Sequence, residues 1–312
     1  MPHFSGKIDE QTAPSLRLDR YVSEVLRLLS RSQIKARNLK AKINGKDVKL
    51  SRPVKKGDSL DINWDDSAAA DIIPQDIPLD VVYEDGNCIV INKAQGMVVH
   101  PGAGNRQGTL VNALCFRRLK TCGDESDKNA GYFAGNVYSE ASGVRPGIVH
   151  RLDKDTSGIM IAAYNCGAHA FLAEQFKTRK ARKNYIAVIQ GVPKETKGRI
   201  ETFIARDSNN RKRFTVSSCG KNAVTLYKVI KNFKDYSLVL LSPRTGRTHQ
   251  LRVHMKYLGH PILGDPVYGY TCSPDISLML HSKSLAVTLP GKTERAVFSS
   301  SLPERFTVFL ER

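Results

Sequence analysis

Residues 145–163 of the chain read RPGIVHRLDKDTSGIMIAA and hold a cluster of charged and hydroxyl side chains between two apolar runs. The runs at 148–149 and 159–163 are rich in isoleucine and valine, which predicts buried strands. The Thr-Ser-Gly sequence at 156–158 predicts the turn through which the chain re-enters the core. Charges between two core segments are unfavourable unless they are paired or functional. The pattern alone leaves two interpretations open, an interior turn with ion pairs and a functional site.

Three further motifs follow in chain order, KNYIAVIQG at 183–191, RTGRTHQLRVHM at 244–255 and GHPILGDPVYG at 259–269. Together with HRLDKDTSG at 150–158, they resemble the signature of the RNA pseudouridine synthases of the RluA/RluD class. The resemblance begins near residue 77 and extends to the C-terminus. It implies that the protein isomerises uridine to pseudouridine in RNA.

The resemblance also implies the chemistry. The glycosidic bond between C1′ and N1 breaks, the uracil turns, and C5 joins C1′. No atom is gained or lost, so the expected isomerase needs no cofactor. One carboxylate suffices, acting as a nucleophile or as a base toward the sugar. Asp153 occupies the family's catalytic position, and the alternative role for it is a buried structural ion pair.

The resemblance gives roles to three other side chains. Arg247 matches the arginine that pairs with the aspartate and opposes the rise in pKa that burial causes, with Arg244 as the alternative. Tyr185 matches the aromatic residue that stacks under the target base, although a core tyrosine on an alternating strand would give the same pattern. Arg151 matches the arginine that takes the place of the target nucleotide when it is flipped out of the RNA.

The histidines of the motifs are expected to be structural. His150 is interpreted as an orienting hydrogen-bonding residue rather than a proton shuttle. His249 and His254 suggest a zinc site, but a separation of five residues on a helix directs them to different faces. The sequence also lacks the H-E-x-x-H, P-loop and G-x-G-x-x-G patterns. We therefore expect neither a metal nor a nucleotide cofactor.

Composition sets the broader expectations. A net charge of +18 should attract polyanions, and nucleic acid is the expected partner because no lipidation motif or amphipathic basic helix indicates a membrane. The hydrophobic content of 41% is ordinary for a globular protein, and no apolar run approaches the ~18 residues of a membrane span. Six scattered cysteines without a C-x-x-C pair, and an N-terminus without a signal pattern, predict a cytoplasmic protein.

The region 16–64 reads as a small RNA-binding module. Its apolar residues first recur at helical spacing, and Asn44-Gly45 then predicts a hairpin. Between positions 31 and 56 there are ten Lys or Arg and one acid. With its L-D-R-Y-V, S-R-S-Q-I-K, I-N-G-K and V-K-K-G-D segments, the region resembles an S4 RNA-binding domain. By position, the resemblance implies RNA contacts from Arg31, Ser32, Lys35 and Arg37, mainly through phosphates and shape.

Four segments are expected in total, a tail over 1–15, the S4-like domain over 16–64, a linker over 65–78 and a catalytic domain over 79–312. In the last, strands dominate, and a helix is predicted over residues 168–179. This is an α+β domain with a mixed, mostly antiparallel sheet flanked by helices. The polar stretch 121–144 is long for a loop, and the sequence does not distinguish an RNA-contacting insert from a mobile excursion.

The sequence thus predicts a monomeric RNA pseudouridine synthase with RNA, most often 23S ribosomal RNA in this class, as its partner. Two alternatives stay open, a synthase acting on transfer RNA and a non-catalytic RNA-binding or ribosome-assembly factor that keeps the scaffold. The presence of Asp153, Tyr185 and Arg247 argues against the second alternative.

Overall fold

The computed structural model describes residues 2–8, 16–26, 28–29, 34, 37–65, 72–102, 104–122, 147–210, 213–270 and 276–311. The chain divides into two compact units. One holds the described residues up to Ile73 together with 119–122, the end of a helix that begins in the other unit, and the other holds 74–118 and the described residues from Gly147 onward. Some predicted features lie outside the described residues, namely Arg31, Ser32, Lys35, residues 9–15 of the tail, residues 66–71 of the linker and residues 123–144 of the polar stretch.

The first unit contains β1 (His3–Lys7), α1 (Leu18–Arg20), which continues as a wider helical turn (Tyr21–Val25), β2 (Lys40–Ile43), β3 (Lys46–Asp47) and β4 (Ser59–Asn63). The four strands form an antiparallel sheet in the order β1-β4-β2-β3. The expected tail over 1–15 is corrected here, because its residues 3–7 pair with β4 as an edge strand. The predicted hairpin at Asn44-Gly45 is confirmed, since both residues have positive φ, 52° and 77°, as a type I′ turn requires. Leu18, Tyr21, Val22 and the alternating residues of β2 and β4 form its apolar core.

The second unit is built mainly from strands. Its elements are β5 (Val81–Glu84), β6 (Cys88–Lys93), α2 (Leu110–Cys122), β7 (Ser157–Ala163), α3 (Cys166–Lys177), β8 (Arg182–Gln190), β9 (Lys197–Arg206), β10 (Phe214–Ser217), β11 (Lys221–Asn232), β12 (Tyr236–Pro243), α4 (Gln250–Tyr257), β13 (Leu280–Thr288), β14 (Arg295–Ser299) and α5 (Glu304–Leu310).

These strands form one sheet of ten in the order β10-β9-β11-β12-β8-β13-β7-β6-β5, with β14 added beside β13. Among the described residues, β13 and β7 form the one parallel pair and all other neighbours are antiparallel. The expected α+β class with a mixed, mostly antiparallel sheet is therefore confirmed. None of the described helices is long and apolar enough to cross a membrane.

The strand β7 lies at the centre of the core, because all seven of its residues are buried. Its alternate residues Ile159 and Ile161 pack with β6, β13 and the inner face of α3. The helix α3 starts where Asn165 caps it, by accepting a hydrogen bond from the backbone N–H of Ala168 at 2.8 Å. A strand buried on both faces reads as an apolar run, which is why residues 159–163 are recognisable in the sequence.

Candidate active site

Four of the side chains predicted from the sequence line one cleft of the second unit. Asp153, Arg151, Tyr185 and Arg247 all contribute to its wall, and its empty volume is about 620 Å³. This volume lies in the range of small-molecule sites, roughly 300–1,000 Å³. The cleft, called the Asp153 cleft below, brings together three of the four sequence motifs.

The turn that carries Asp153 precedes β7 and is closed by a hydrogen bond from the N–H of Thr156 to the carbonyl oxygen of Asp153, at 3.1 Å. It enters the strand through Gly158, whose φ is +115°. A Cβ at Gly158 would lie 2.3 Å from the carbonyl oxygen of Ser282 on β13, so no larger residue fits. The glycine of the Thr-Ser-Gly sequence is therefore required by the close approach of two strands.

A buried lysine ties a second segment to this turn. Lys93, at the end of β6 and 1% exposed, donates from Nζ to the carbonyl oxygens of Ala94, Met97 and Lys154 at 2.8, 2.9 and 3.0 Å. Burial lowers the pKa of Lys93 to about 8. The side chain of Gln95 adds hydrogen bonds to the carbonyl oxygen of Asp155, at 3.0 Å, and to that of Leu278, at 3.1 Å.

The guanidinium that reaches Asp153 belongs to Arg252 and not to Arg247, which corrects the expected ion pair. Nη1 of Arg252 lies 3.4 Å from Oδ2 of Asp153. Arg247 instead donates from Nε to the backbone carbonyl oxygen of Asn222, at 3.0 Å. The reason is the position of α4, whose first turn directs Arg252 toward the Asp153 turn, while Arg247 precedes the helix. Arg244, the alternative partner, is exposed.

Arg252 is held by a second carboxylate. Its Nε and Nη2 each lie 2.7 Å from an oxygen of Asp265, which is fully buried and also accepts from the backbone N–H groups of Val267 and Tyr268. Burial alone would raise the pKa of Asp265, but these hydrogen bonds outweigh it and leave the pKa lowered. Burial lowers the pKa of Arg252, yet the two carboxylates outweigh it and the net shift is upward. Arg252 therefore stays charged between them.

A histidine approaches the same oxygen of Asp153. Nε2 of His249 lies 3.9 Å from Oδ2, and Nδ1 lies 3.0 Å from the hydroxyl of Tyr268. That hydroxyl already accepts from the N–H of Phe214 at 2.8 Å, so its own proton is available to donate to Nδ1. The resulting tautomer carries its hydrogen on Nε2, facing Asp153. Burial lowers the pKa of His249 more than the charge of Asp153 raises it, which favours a neutral ring.

His249 also has an unusual backbone. Its φ of 55° lies in the left-handed region, immediately before α4 begins. A non-glycine residue there is uncommon and marks a position that the surrounding contacts determine. Arg252 and His249 both approach Oδ2 of Asp153, at 3.4 and 3.9 Å. The sequence pattern of the R-T-G-R-T-H-Q-L-R motif gave no sign of this convergence.

The remaining predicted residues occupy different settings. Tyr185 is 7% exposed, lies on β8 between Leu241 of β12 and Ser282 of β13, and has a pKa raised by burial. Arg151 is exposed at the cleft. His150 accepts from the N–H of Ile161 at 3.1 Å and stacks on Phe176, and burial lowers its pKa to about 3.

Lys183 also lines the cleft, although no role for it was predicted from the sequence. Burial lowers its pKa to about 8.

Of the expected RNA contacts in the first unit, Arg37 is described and half-buried. The histidine pair considered for zinc is engaged otherwise, since both ring nitrogens of His254 contact threonine hydroxyls, at 2.8 and 3.1 Å. Among the described residues, no group of three or more His, Cys, Asp or Glu side chains is arranged to hold a metal ion.

Comparison with known proteins gives consistent matches. A family profile described as RNA pseudouridylate synthase matches residues 87–257. The chain is 47% identical over 307 residues to the ribosomal large subunit pseudouridine synthase D of Borreliella burgdorferi, covering 95% of this chain and 89% of that protein. It is 38% identical over 303 residues to the protein of the same name from Zymomonas mobilis, covering 92% and 90%.

Solved structures give the same result. The structure of the human protein named RNA pseudouridylate synthase domain containing 4 superposes with a TM-score of 0.57 at 27% identity, and the match covers 74% of this chain and 92% of that one. The structure of the human protein named RNA pseudouridylate synthase domain containing 1 superposes with a TM-score of 0.54 at 28% identity, and the match covers 72% of this chain and 83% of that one.

Proposed function

Since the chain belongs to the RNA pseudouridylate synthase family and is therefore an isomerase acting on RNA, we propose that it modifies uridines of large-subunit ribosomal RNA through Asp153. The observation that supports this role for Asp153 is its position in a cleft beside an arginine that a second carboxylate holds in place. The names of the relatives from Borreliella burgdorferi and Zymomonas mobilis support the ribosomal substrate.

In the proposed mechanism, the Asp153 carboxylate acts at the ribose of a flipped-out uridine. It either attacks C1′ and expels N1, which leaves an ester bond between Asp153 and C1′, or removes the proton from C2′, so that the bond from C1′ to N1 breaks by elimination. After the uracil turns, C5 bonds to C1′ as the ester bond breaks or as Asp153 returns the proton to C2′, and the carboxylate is released. C5 then loses its hydrogen as a proton, and N1 gains a proton. Atoms balance without an added reactant. Arg252 and the neutral His249 approach Oδ2 of Asp153 and position the carboxylate from that side.

Two residues of the cleft have proposed roles toward the base. The buried ring of Tyr185 would stack under the uracil, and its raised pKa keeps the hydroxyl protonated during turnover. The exposed Arg151 would take the position that the target nucleotide leaves in the RNA, which offsets part of the few kcal/mol that flipping requires.

The function is tested by tritium release from C5-labelled uridine, because only the isomerisation displaces that hydrogen. We expect release from a large-subunit ribosomal RNA transcript, and pseudouridines that are lost from this RNA in cells without the gene. A loss confined to transfer RNA would contradict the proposed substrate. Release from no RNA would contradict the proposed reaction and favour a non-catalytic RNA-binding factor.

The role of Asp153 is tested by Asp153→Asn. Turnover should fall to less than about one thousandth of the wild-type value, because neither nucleophile nor base remains. RNA affinity should change by no more than about threefold, since the amide keeps the shape of the side chain. Asp155→Asn removes the same charge from the same turn and should retain activity. Comparable losses in both variants would refute the assignment of Asp153.

We further propose that residues 16–64 form an S4-like RNA-binding domain, joined by a linker over 65–78 to a catalytic domain over 79–312. The support is its one-sided charge, with ten Lys or Arg and one acid between positions 31 and 56. Arg31, Ser32, Lys35 and Arg37 are proposed contacts. On β2, the exposed Lys40 and Lys42 alternate with buried Ala41 and Ile43, so both stand on the outer face.

The proposed domain role predicts a change in salt dependence. Lys40→Gln/Lys42→Gln should weaken RNA binding and flatten its log–log salt slope by about 1.4 to 1.8, since each phosphate contact contributes about 0.7 to 0.9. Binding of a labelled ribosomal RNA transcript at several salt concentrations measures both quantities. Lys197→Gln/Lys228→Gln, which removes two exposed lysines from β9 and β11 of the second unit, is the control. Equal losses in both double variants would indicate only the general effect of charge.

A further inference from the structure

A second groove adjoins the Asp153 cleft in the same unit. It has an empty volume of about 750 Å³, and the two cavities share one wall, formed by Gly246, Arg247 and Thr248. This wall connects the end of β12 to the start of α4. The second cavity, called the strand-end groove below, has no role in the chemistry derived above.

The strand-end groove is formed by the ends of three neighbouring strands. Arg206 is the last residue of β9, Phe214 the first of β10 and Lys221 the first of β11. Register places Phe214 opposite Arg206 and Lys221 opposite Ile204. Residues paired across antiparallel strands point to the same face, so the three side chains lie on one face of the sheet at the end that lines the groove.

The described lining of the groove is cationic. Arg206, Lys221 and Arg247 contribute three positive charges, and no acidic residue is among the described residues that line it. Arg247 is held through Nε by a hydrogen bond to the carbonyl oxygen of Asn222 at 3.0 Å, and its side chain lines the groove. Lys221 is exposed. Such a set of donors matches an anionic, phosphate-bearing chain.

One of these cations is already ordered. The guanidinium carbon of Arg206 lies 5.2 Å from the ring centroid of Phe214, a cation–π arrangement. The ring of Phe214 also contacts His249 edge-on, with 5.7 Å between the ring centroids. Through this ring pair, the strand-end groove and the Asp153 cleft pack against each other. Less side-chain entropy is lost on binding when a contact residue is held beforehand.

The shared wall has no side chain at Gly246, the position where a strand of RNA would cross it. Gly246 is exposed, has no side chain, and a Cβ there would meet only Nζ of Lys183, at 3.5 Å. A polynucleotide with one residue in the Asp153 cleft must leave it in both directions along its backbone. Gly246 gives one such path, and the path leads directly into the cationic groove.

We propose that the strand-end groove binds the phosphate and ribose of a nucleotide that adjoins the target uridine, a role that rests on the proposed function in RNA. Lys221 and Arg247 contact the phosphate, and the ordered guanidinium of Arg206 contacts the backbone or stacks on the neighbouring base. The groove thus holds the RNA in register while the uridine is in the cleft. It recognises backbone rather than sequence.

The proposal is tested with Arg206→Gln/Lys221→Gln, since neither residue belongs to the Asp153 cleft. With C5-tritiated large-subunit ribosomal RNA transcript, KM should rise about 10-fold and the log–log salt slope of kcat/KM should flatten by about 1.4, the value for two single-strand phosphate contacts. The kcat at saturating RNA should stay within about twofold, because the groove contains no reacting group.

The matched control is Lys197→Gln/Lys228→Gln, which removes two cations from the opposite end of β9 and β11. The proposal is overturned if the groove variant and this control give the same KM and salt slope, or if kcat falls while KM is unchanged. Anisotropy of the same RNA, labelled with fluorescein, compares the affinities without turnover. If the wild type binds RNA through the strand-end groove but releases no tritium, the result contradicts the proposed reaction and still supports the proposed binding role of the groove.

A chemically modified RNA identifies the contact. In a hairpin around the mapped uridine, single phosphates within two linkages are replaced by neutral methylphosphonates. At one linkage the replacement should raise the KM of the wild type about as much as Arg206→Gln/Lys221→Gln does, and should add little to the KM of that variant. Additive effects at every linkage would overturn the assignment of the groove to an adjoining phosphate.

Discussion

At the scale of single residues, the site depends on one guanidinium shared by two carboxylates. Arg252 forms a two-point contact with buried Asp265 at 2.7 Å and a longer contact with Asp153 at 3.4 Å. The close pair fixes the orientation of the guanidinium, and the remaining nitrogen then meets Asp153 at a set position. Because the planar fork makes both contacts at once, a lysine cannot replace it.

This arrangement predicts that Arg252→Lys lowers kcat by about 10²-fold, since the ammonium keeps a charge near Asp265 but no longer orients Asp153. Arg247→Lys should act mainly on KM, because its guanidinium contacts a backbone carbonyl and not the carboxylate. Steady-state tritium release measures both effects, and circular dichroism confirms that each variant is folded. A larger loss of kcat in Arg247→Lys than in Arg252→Lys would indicate that Arg247 is the partner of Asp153 during turnover.

The difference between the expected and observed partner of Asp153 has a physical origin. Motif resemblance identified Asp153, Tyr185, Arg151 and Arg247, and the structure brings all four to one cleft. Which arginine meets the aspartate depends on how α4 lies against a turn 99 residues earlier in the chain. Local sequence pattern carries no information on that packing, so the identity of Arg252 emerged only from the fold.

At the scale of elements, the sheet was the part best predicted from local pattern. The strand expected at 159–163 is β7, Ser157–Ala163, and the helix expected over 168–179 is α3, Cys166–Lys177. Apolar alternation and helical spacing are read within a window of about ten residues, which explains this success. The run at 148–149 forms only an isolated bridge, from Ile148 to Ala162. The parallel pairing of β13 with β7 was not predicted, because it joins segments more than 120 residues apart.

The end of β6 supports the turn that carries Asp153, and the motifs of the sequence did not predict this support. In the structure Gln95 makes hydrogen bonds to the carbonyl oxygens of Asp155 and Leu278, and Lys93 binds that of Lys154. The end of β6 therefore holds the Asp153 turn through side chains that reach backbone carbonyl oxygens far along the chain, which local sequence pattern does not reveal.

At the scale of the whole molecule, several of its eight histidines are buried in a neutral form. Burial lowers the pKa of His254 and His281 to about 4 and that of His150 to about 3, and His254 and His281 are fully enclosed. An unfolded histidine titrates near 6.5. Between these values the unfolded chain binds protons that the folded chain does not, so the stability contributed by the neutral rings is present above pH 6.5 and is lost as pH falls toward 4.

The free energy of unfolding is therefore expected to fall steeply between pH 6.5 and 5, by about 1 to 2 kcal/mol for each enclosed histidine. The carboxyl groups with lowered pKa, such as Asp265, contribute at lower pH and do not produce this change. Denaturant unfolding followed by circular dichroism at several pH values measures it. His254→Gln keeps an amide within reach of Thr202 and Thr225 but cannot titrate, so its curve should be less steep than that of the wild type by about one proton. Parallel curves would mean that His254 titrates alike in both states, and the neutral, enclosed ring would then not account for the acid sensitivity.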